Sequence, residues 1–455
     1  MIKVTFIGAG STVFCKNVLG DIMLSPYLND TEIALYDINA ERLEESRQLV
    51  CALNDTCNEG RAAIKTYLGV QNRRDALRDA DFVINAIQVG GYEPSTVIDF
   101  EIPKKYGLLQ TIGDTLGIGG IFRALRTIPV LREMAEDKND KITQLAIMAE
   151  DIEAVCPNAW FLNYTNPMAM LTGFMQRYTG VKTIGLCHSV QVCAKAILEG
   201  VGMEDKLDGV VYRTAGINHM AWLLSIRDKD GNDLYPEIRK RAAEKNATEK
   251  HSDMVRFEYI KHLGYYCTES SEHNAEYNPF FIKPNYPELI DKFNIPLDEY
   301  PRRCVNQIAD WEKQKEELLG GGKVEHERSR EYGSRIIEAM VTNTPYEIGG
   351  NVINNGLITN LPAKACVEVP CMVSANGIDP VYIGELPLQL AAMNITNINP
   401  QLLTIEAAVT KKREAVYHAA MLEPHTAAVL SIDDIVAMCD ELIEAHNKTD
   451  FKVLV

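Results

Sequence analysis

Five short runs restrict the fold more than any other feature of the sequence: KVTFIGAG at 3–10, EIALYDI at 32–38, DFVINAIQV at 81–89, AWFLNYT at 159–165 and KTIGLC at 182–187. Each is close to continuously apolar, and between them lie ERLEESRQLVCAL, ALRDA and AMLTGFMQRY, whose apolar residues recur at helical spacing. A strand that is apolar throughout needs cover on both faces, and helices alternating with such strands supply it in a parallel sheet. Residues 1–190 are therefore expected to form a doubly wound α/β domain. The chain's 455 residues exceed the roughly 250–300 at which one core stops growing. Residues 191–455 mix helical segments such as HERSREYGSRIIEAM and LSIDDIVAMCDELIEAH with the strand-like AKACVEVPCMV, and read as a second, α+β domain. MAED occurs at 134–137 and again at 148–151. That offset is close to four helical turns and predicts a lengthened surface helix over 134–151. The glycines at 320–322 predict a loop.

Charge narrows the partners. The chain carries 63 acidic and 46 basic side chains, a formal charge of −17, with no basic cluster. Nucleic acid and anionic membrane surfaces are excluded as partners, because binding phosphates relies on gathered Lys and Arg. No apolar run approaches the roughly 20 residues that span a bilayer, and the start MIKVTFIGAG does not read as a secretory leader. Eleven cysteines without C-x-x-C spacing point to free thiols in a reduced, cytoplasmic setting.

The first run ends in Gly8-Ala9-Gly10-Ser11-Thr12, the first two glycines of a dinucleotide-binding turn, with Val13 where the third is usual. The first glycine permits a tight turn and the second lets the backbone approach a pyrophosphate at a helix N-terminus. Asp37 closes the second run, where a carboxylate accepts hydrogen bonds from an adenosine ribose and repels a 2′-phosphate, favouring NAD over NADP. Its plainer reading is a helix cap. Asn166 stands before Pro167 just beyond another run, so its amide projects at the sheet edge where ligands bind, although any turn can hold such an asparagine. Cys187 and His188 follow the last run. As neighbours in extended chain they point to opposite faces and do not form a simple dyad, and Cys187 by itself is as well read as buried packing. With His219, in GINHM, Cys187 can hold a divalent cation with positions left open. Finally TESSEHNAEY at 268–277 is dense in titratable groups: His273 and Tyr277 share a face if the segment is helical, and the same composition suits a solvated surface.

Together and in order, TFIGAGST at 5–12, GDTLGIGGIFRALRTIP at 113–129, NYTNPMA at 163–169, GLCHSV at 185–190, AGINHM at 215–220, TESSEHNAEY at 268–277, PLDEYPRRCV at 296–305 and GLITNLP at 356–362 resemble glycoside hydrolase family four, the NAD- and metal-dependent glycosidases. The likeness runs over nearly the whole chain. It implies a Rossmann-like domain followed by an α+β domain, similar to lactate and malate dehydrogenases. It also implies hydrolysis of terminal α-galactosides of the melibiose and raffinose type. Other α-glucosidase, α-galacturonidase or phospho-α-glucosidase activities of the family are the alternatives, and a lactate- or malate-type dehydrogenase is the competitor from another class.

The resemblance further implies a mechanism unlike that of the two-carboxylate glycosidases. NAD⁺ oxidises the sugar at C3, which acidifies the proton on C2. A base removes that proton, the glycosidic oxygen leaves by elimination, water adds at C1, and the hydride returns to C3. Carried over residue by residue, the metal ligands fall on Cys187 and His219, the substrate-contacting asparagine on Asn166, and the C2 base on Tyr277, with His273 and Glu276 as fallbacks. Gly8, Gly10, Ser11, Thr12 and Asp37 are the cofactor residues. The acid for the leaving group falls on His188 or Asp114, because His188 stands where phospho-glycosidase members carry an aspartate. That departure also argues against a phosphorylated substrate. The implied metal is Mn(II), whereas a thiolate ligand alone favours zinc or iron. Members are homodimers or homotetramers, so a small oligosaccharide and further copies of the chain are the expected partners.

Overall fold

The computed structural model describes residues 1–129, 145–319 and 325–454. Its twelve strands are β1 (Lys3–Ile7), β2 (Glu32–Asp37), β3 (Ala63–Leu68), β4 (Phe82–Asn85), β5 (Trp160–Asn163), β6 (Lys182–Leu186), β7 (Val211–Ile217), β8 (Met220–Arg227), β9 (Tyr266–Cys267), β10 (Tyr346–Ile353), β11 (Cys366–Ser374) and β12 (Gly377–Pro380). They join in one sheet of order β3-β2-β1-β4-β5-β6-β10-β11-β7-β8-β9, with β12 beside β11. The first six are parallel, in the order 3-2-1-4-5-6 of a doubly wound dinucleotide-binding sheet. From β6 onward every pairing is antiparallel.

The two-residue period of a strand divides the apolar runs between two cores. Val4, Phe6, Ile33, Leu35 and Ile84 pack with Val18, Leu19 and Ile22 of helix α1 (Thr12–Met23) and with Leu49 and Leu53 of helix α2 (Ala40–Asn58). Ile7, Tyr36, Val83 and Phe161 face the other way, onto Ile121 and Phe122 of the helix Gly117–Thr127 and Leu171 and Phe174 of the helix Met168–Tyr178. The expected α/β architecture is thus present, with β3 as an unanticipated edge strand whose residues are largely exposed and whose apolar residues are interrupted by Lys65 and Thr66.

The expectation of a helix throughout 326–340 is corrected: only Gly333–Thr342 is helical, and 325–332 is an irregular strap tied to α1. The carboxylate of Asp21, fully buried in α1, takes the Ser329 amide, the Ser329 hydroxyl and His326 Nε2 at 2.6–2.8 Å, and these bonds replace the helical ones. Most of the lengthened helix expected at 134–151, and the glycine loop at 320–322, lie outside the described residues. Leu145–Val155 is helical. Among the described residues no helix is long and apolar enough to cross a membrane.

Candidate active site

The carboxyl ends of the parallel strands deliver one group of side chains to a cleft, and the antiparallel half of the sheet delivers the other. After β1, Gly8 adopts φ +85° where the chain turns into α1, and a Cβ there would stand 2.7 Å from the Ala86 carbonyl oxygen. Only glycine fits this approach. The Asp37 carboxylate accepts the Gly10 amide at 2.6 Å and the Asn39 amide at 2.8 Å, which aims it across the glycine turn. Ser11 and Thr12 open α1, and Val13, at the third-glycine position, is exposed rather than pressed against the sheet, so its bulk is accommodated. The cradle fits a dinucleotide.

Cys187 leaves β6 with its backbone held by a tyrosine from the strap. Tyr332 Oη accepts the Cys187 amide at 2.9 Å and lies 3.0–3.1 Å from the Cys187 and Gly349 carbonyl oxygens. His219 sits in the two-residue turn between β7 and β8 at φ +63°, and Glu269 follows β9 at φ +60°. Left-handed backbone is costly for residues with a Cβ and gathers at functional sites. Asn274 spans both turns, donating to the carbonyls of His219, Thr268 and Ser270.

These constraints bring one donor atom each from Cys187, His219 and Glu269 within 4.8 Å of one another. Sequence reasoning placed the first two and missed the third; the acidic patch containing Glu269 has no spacing that singles it out from Glu272 and Glu276. Burial lowers His219 to about 4, so its ring is neutral at pH 7, as a ligand must be. Burial opposes ionisation of Glu269, yet its surroundings, with His273 and His219 foremost, hold it at about 2, so it is a carboxylate. Burial pushes the Cys187 thiol well up, and a cation is what would deprotonate it. A thiolate, an imidazole and a carboxylate with open positions fit a divalent transition metal, and the carboxylate oxygen makes the set more hospitable to manganese than the cysteine–histidine pair alone.

Around this cluster, Tyr277 Oη lies 3.2 Å from His219 Nδ1, the rings of His219 and His273 meet edge to face at 4.9 Å, and His273 Nε2 is 3.9 Å from Asp114 Oδ1. Asn166 Nδ2 donates to Asp114 Oδ2 at 3.5 Å. Tyr277 is fully buried, which pushes its hydroxyl well above its ordinary value. Asp114, Asn166, Tyr277, Cys187 and His219 therefore converge. His188 is exposed beside them at the start of the helix Ser189–Gly200 and makes no side-chain cap there. Glu276, a fallback base, is otherwise engaged: both its oxygens take backbone amides of the loop before Asp114.

Residues 3–203 match the model of the family 4 glycosyl hydrolases, and residues 214–426 match that of the family 4 glycosyl hydrolase C-terminal domain. An α-galactosidase of Bacillus subtilis strain 168 is 62% identical over 447 residues, 98% of each chain. An α-galactosidase of Rhizobium meliloti strain 1021 is 34% identical over 98% of this chain and 88% of its own length. Among solved structures, a 6-phospho-alpha-glucosidase from gut microorganisms in complex with NAD and Mn²⁺ superposes with a TM-score of 0.76 at 21% identity, over 98% of each chain, a likeness of fold.

Proposed function

The chain belongs to the family 4 glycosyl hydrolases, and we propose that it hydrolyses terminal α-galactosides of small oligosaccharides, of the melibiose and raffinose type. The observation that carries this reading is the 62% identity, end to end, with an α-galactosidase. NAD and Mn(II) are the cofactors it calls for. When bound, the dinucleotide supplies reversible hydride exchange at C3 of the sugar, and the divalent cation supplies Lewis acidity beside it.

The chain's own residues supply the rest. Gly8, Gly10, Ser11 and Thr12 cradle the pyrophosphate, and Asp37 accepts the ribose hydroxyls. Cys187, His219 and Glu269 hold the cation, and Asn166 binds the sugar. Tyr277, whose hydroxyl lies 3.2 Å from His219 Nδ1, would be the base that takes the C2 proton. Asp114 gives a proton to the departing glycosidic oxygen, with His188 as the second candidate. Residues 1–190 carry the dinucleotide, and 191–455 carry the antiparallel elements that shape the metal and substrate sites and the contacts of a homodimer or homotetramer. A reduced, cytoplasmic setting keeps Cys187 a free thiol.

The test is hydrolysis of a nitrophenyl α-galactoside in D₂O by reduced protein with NAD⁺ and Mn²⁺, each then omitted. The reading expects released galactose labelled at C2 and no accumulation of NADH, where a dehydrogenase would give stoichiometric NADH. Activity that survives chelation and removal of NAD⁺, or galactose unlabelled at C2, overturns it.

A further inference from the structure

Three consecutive amides close around one buried carboxylate beside the proposed base. Glu276 Oε2 accepts the Thr111 amide at 2.7 Å, and Oε1 accepts those of Ile112 at 3.2 Å and Gly113 at 2.7 Å. Successive N–H groups converging on an anion form a nest, an arrangement usually seen around phosphates and other ligands. Here the anion is a side chain of the same molecule, and the residue after the nest is Asp114. The loop is stitched at a second point, where Thr111 Oγ1 donates to the Glu272 carbonyl at 2.7 Å. Gly113 takes φ +54°, and a Cβ there would meet Gln110 Oε1 at 2.9 Å, so the turn that leads into Asp114 needs glycine at this position. Glu276 closes the helix Ser271–Glu276, and Tyr277 is the next residue. The carboxylate therefore joins, through one side chain, the segment bearing Tyr277 to the loop bearing Asp114, 163 positions apart for the Gly113 bond.

We propose that Glu276 is a positioning residue that fixes Asp114 relative to Tyr277, so that the groups exchanging protons with the leaving oxygen and with C2 are held on one frame. The roles assigned to the two ends rest on the reading given under Proposed function. The clasp itself rests on the three amide bonds. Burial presses Glu276 up to about 7, and the amides of the nest pull against that rise.

The experiment compares Glu276→Gln, Glu276→Asp, Asp114→Asn and the double variant Glu276→Gln/Asp114→Asn in the holoenzyme. Glutamine has one acceptor oxygen and would point N–H at N–H, so Glu276→Gln is expected to lower kcat on melibiose by about tenfold or more, a part of the roughly 10²–10⁴-fold that a positioned acid contributes, with KM and Mn²⁺ affinity within about twofold. Because the loss runs through Asp114, the double variant should fall no further than Asp114→Asn alone. The loss should also shrink on a nitrophenyl galactoside, whose leaving group needs little protonation. Glu276→Asp keeps the charge and should recover part of the rate, which also covers the case in which the glutamine variant does not fold. Losses that multiply in the double variant, or that are equal on both substrates, overturn the proposal. Amide hydrogen exchange decides the clasp independently of turnover: protection at 111–113 must drop in Glu276→Gln, and unchanged protection overturns it. A wild-type protein that does not cleave α-galactosides sinks the functional reading and leaves the exchange result to settle the clasp.

Discussion

The hydroxyl of Tyr332 accepts a hydrogen bond from the amide of Cys187 at 2.9 Å and lies 3.1 Å from the same residue's carbonyl oxygen, so one side chain from the strap brackets the backbone of the proposed thiolate ligand. Removing that oxygen leaves a buried N–H and the Gly349 carbonyl without this partner, a cost of about 1–3 kcal/mol. Tyr332→Phe is expected to lower the denaturation midpoint accordingly and to weaken Mn²⁺ binding by about tenfold, because groups that orient ligands are worth about 10–100-fold in metal affinity. Calorimetric titration with Mn²⁺ alongside denaturant unfolding checks both. Loss of stability with unaltered metal affinity would make Tyr332 a packing residue only.

Glu269 is the donor that separates a three-ligand site from a two-ligand one. Glu269→Gln keeps the shape and the left-handed backbone but gives up the charge, and Mn²⁺ affinity should fall by at least about tenfold. Cys187→Ser should abolish metal-dependent turnover while the protein stays folded, since among the described residues the thiol makes one side-chain contact of hydrogen-bond type, to Ser189 at 3.2 Å. Equilibrium binding read by the paramagnetic resonance of free Mn²⁺ gives the affinities. Full affinity in Glu269→Gln removes the carboxylate from the ligand set.

The parallel half of the fold was legible because burial on both faces leaves a compositional trace: β1, β2, β4, β5 and β6 all lie within the expected runs. The edge strand β3 leaves a weaker one, because it is largely exposed and Lys65 and Thr66 interrupt its apolar residues. Within the proposed site, Gly8, Asp37 and Asn166 were singled out by local motifs. Cys187 and His219 gained their meaning only from the order of the segments around them. Residues whose role depends on a partner far along the chain were not readable: Tyr332 meets Cys187 across 145 positions, and Glu276 meets Gly113 across 163. The strap at 325–332 has a helical composition, and its irregular course is tied down by Asp21, some 300 residues earlier, whose bonds no local pattern encodes.

Gly8 tests the cofactor cradle. Alanine there would combine a φ of +85° with a Cβ 2.7 Å from the Ala86 carbonyl oxygen. A strained left-handed residue costs about 1–3 kcal/mol, and relieving it means moving the turn away from β4, which also displaces the Gly10 amide. Gly8→Ala should therefore lose NAD⁺ affinity by more than about tenfold while Mn²⁺ affinity stays within about twofold. Tryptophan fluorescence or calorimetry with NAD⁺ follows the loss, and NAD⁺ binding at wild-type strength would show that the turn is not the cradle.

Glu368 lies behind the proposed metal site on β11 and is almost wholly buried. Its Oε1 accepts from Asn351 Nδ2 at 2.9 Å and Asn218 Nδ2 at 3.2 Å, while Oε2 is buried with no hydrogen-bond partner among the described residues. Burial raises its pKa from 4.5 to about 7, and the two amide bonds only partly offset this. Between those values the folded protein binds the proton and the unfolded chain does not, so this group's contribution to stability is fully present below 4.5 and is lost as pH rises through about 7. Glu368→Gln keeps an oxygen for the two asparagines and removes the titration. In metal-free protein the variant should gain little on the wild type near pH 4.5 and progressively more up to pH 8, by as much as about 3 kcal/mol. Denaturant unfolding in the presence of a chelator at a series of pH values measures the difference. A gap that stays constant with pH would mean that Glu368 is ionised in the folded protein, with a cationic or hydrogen-bonding partner for Oε2.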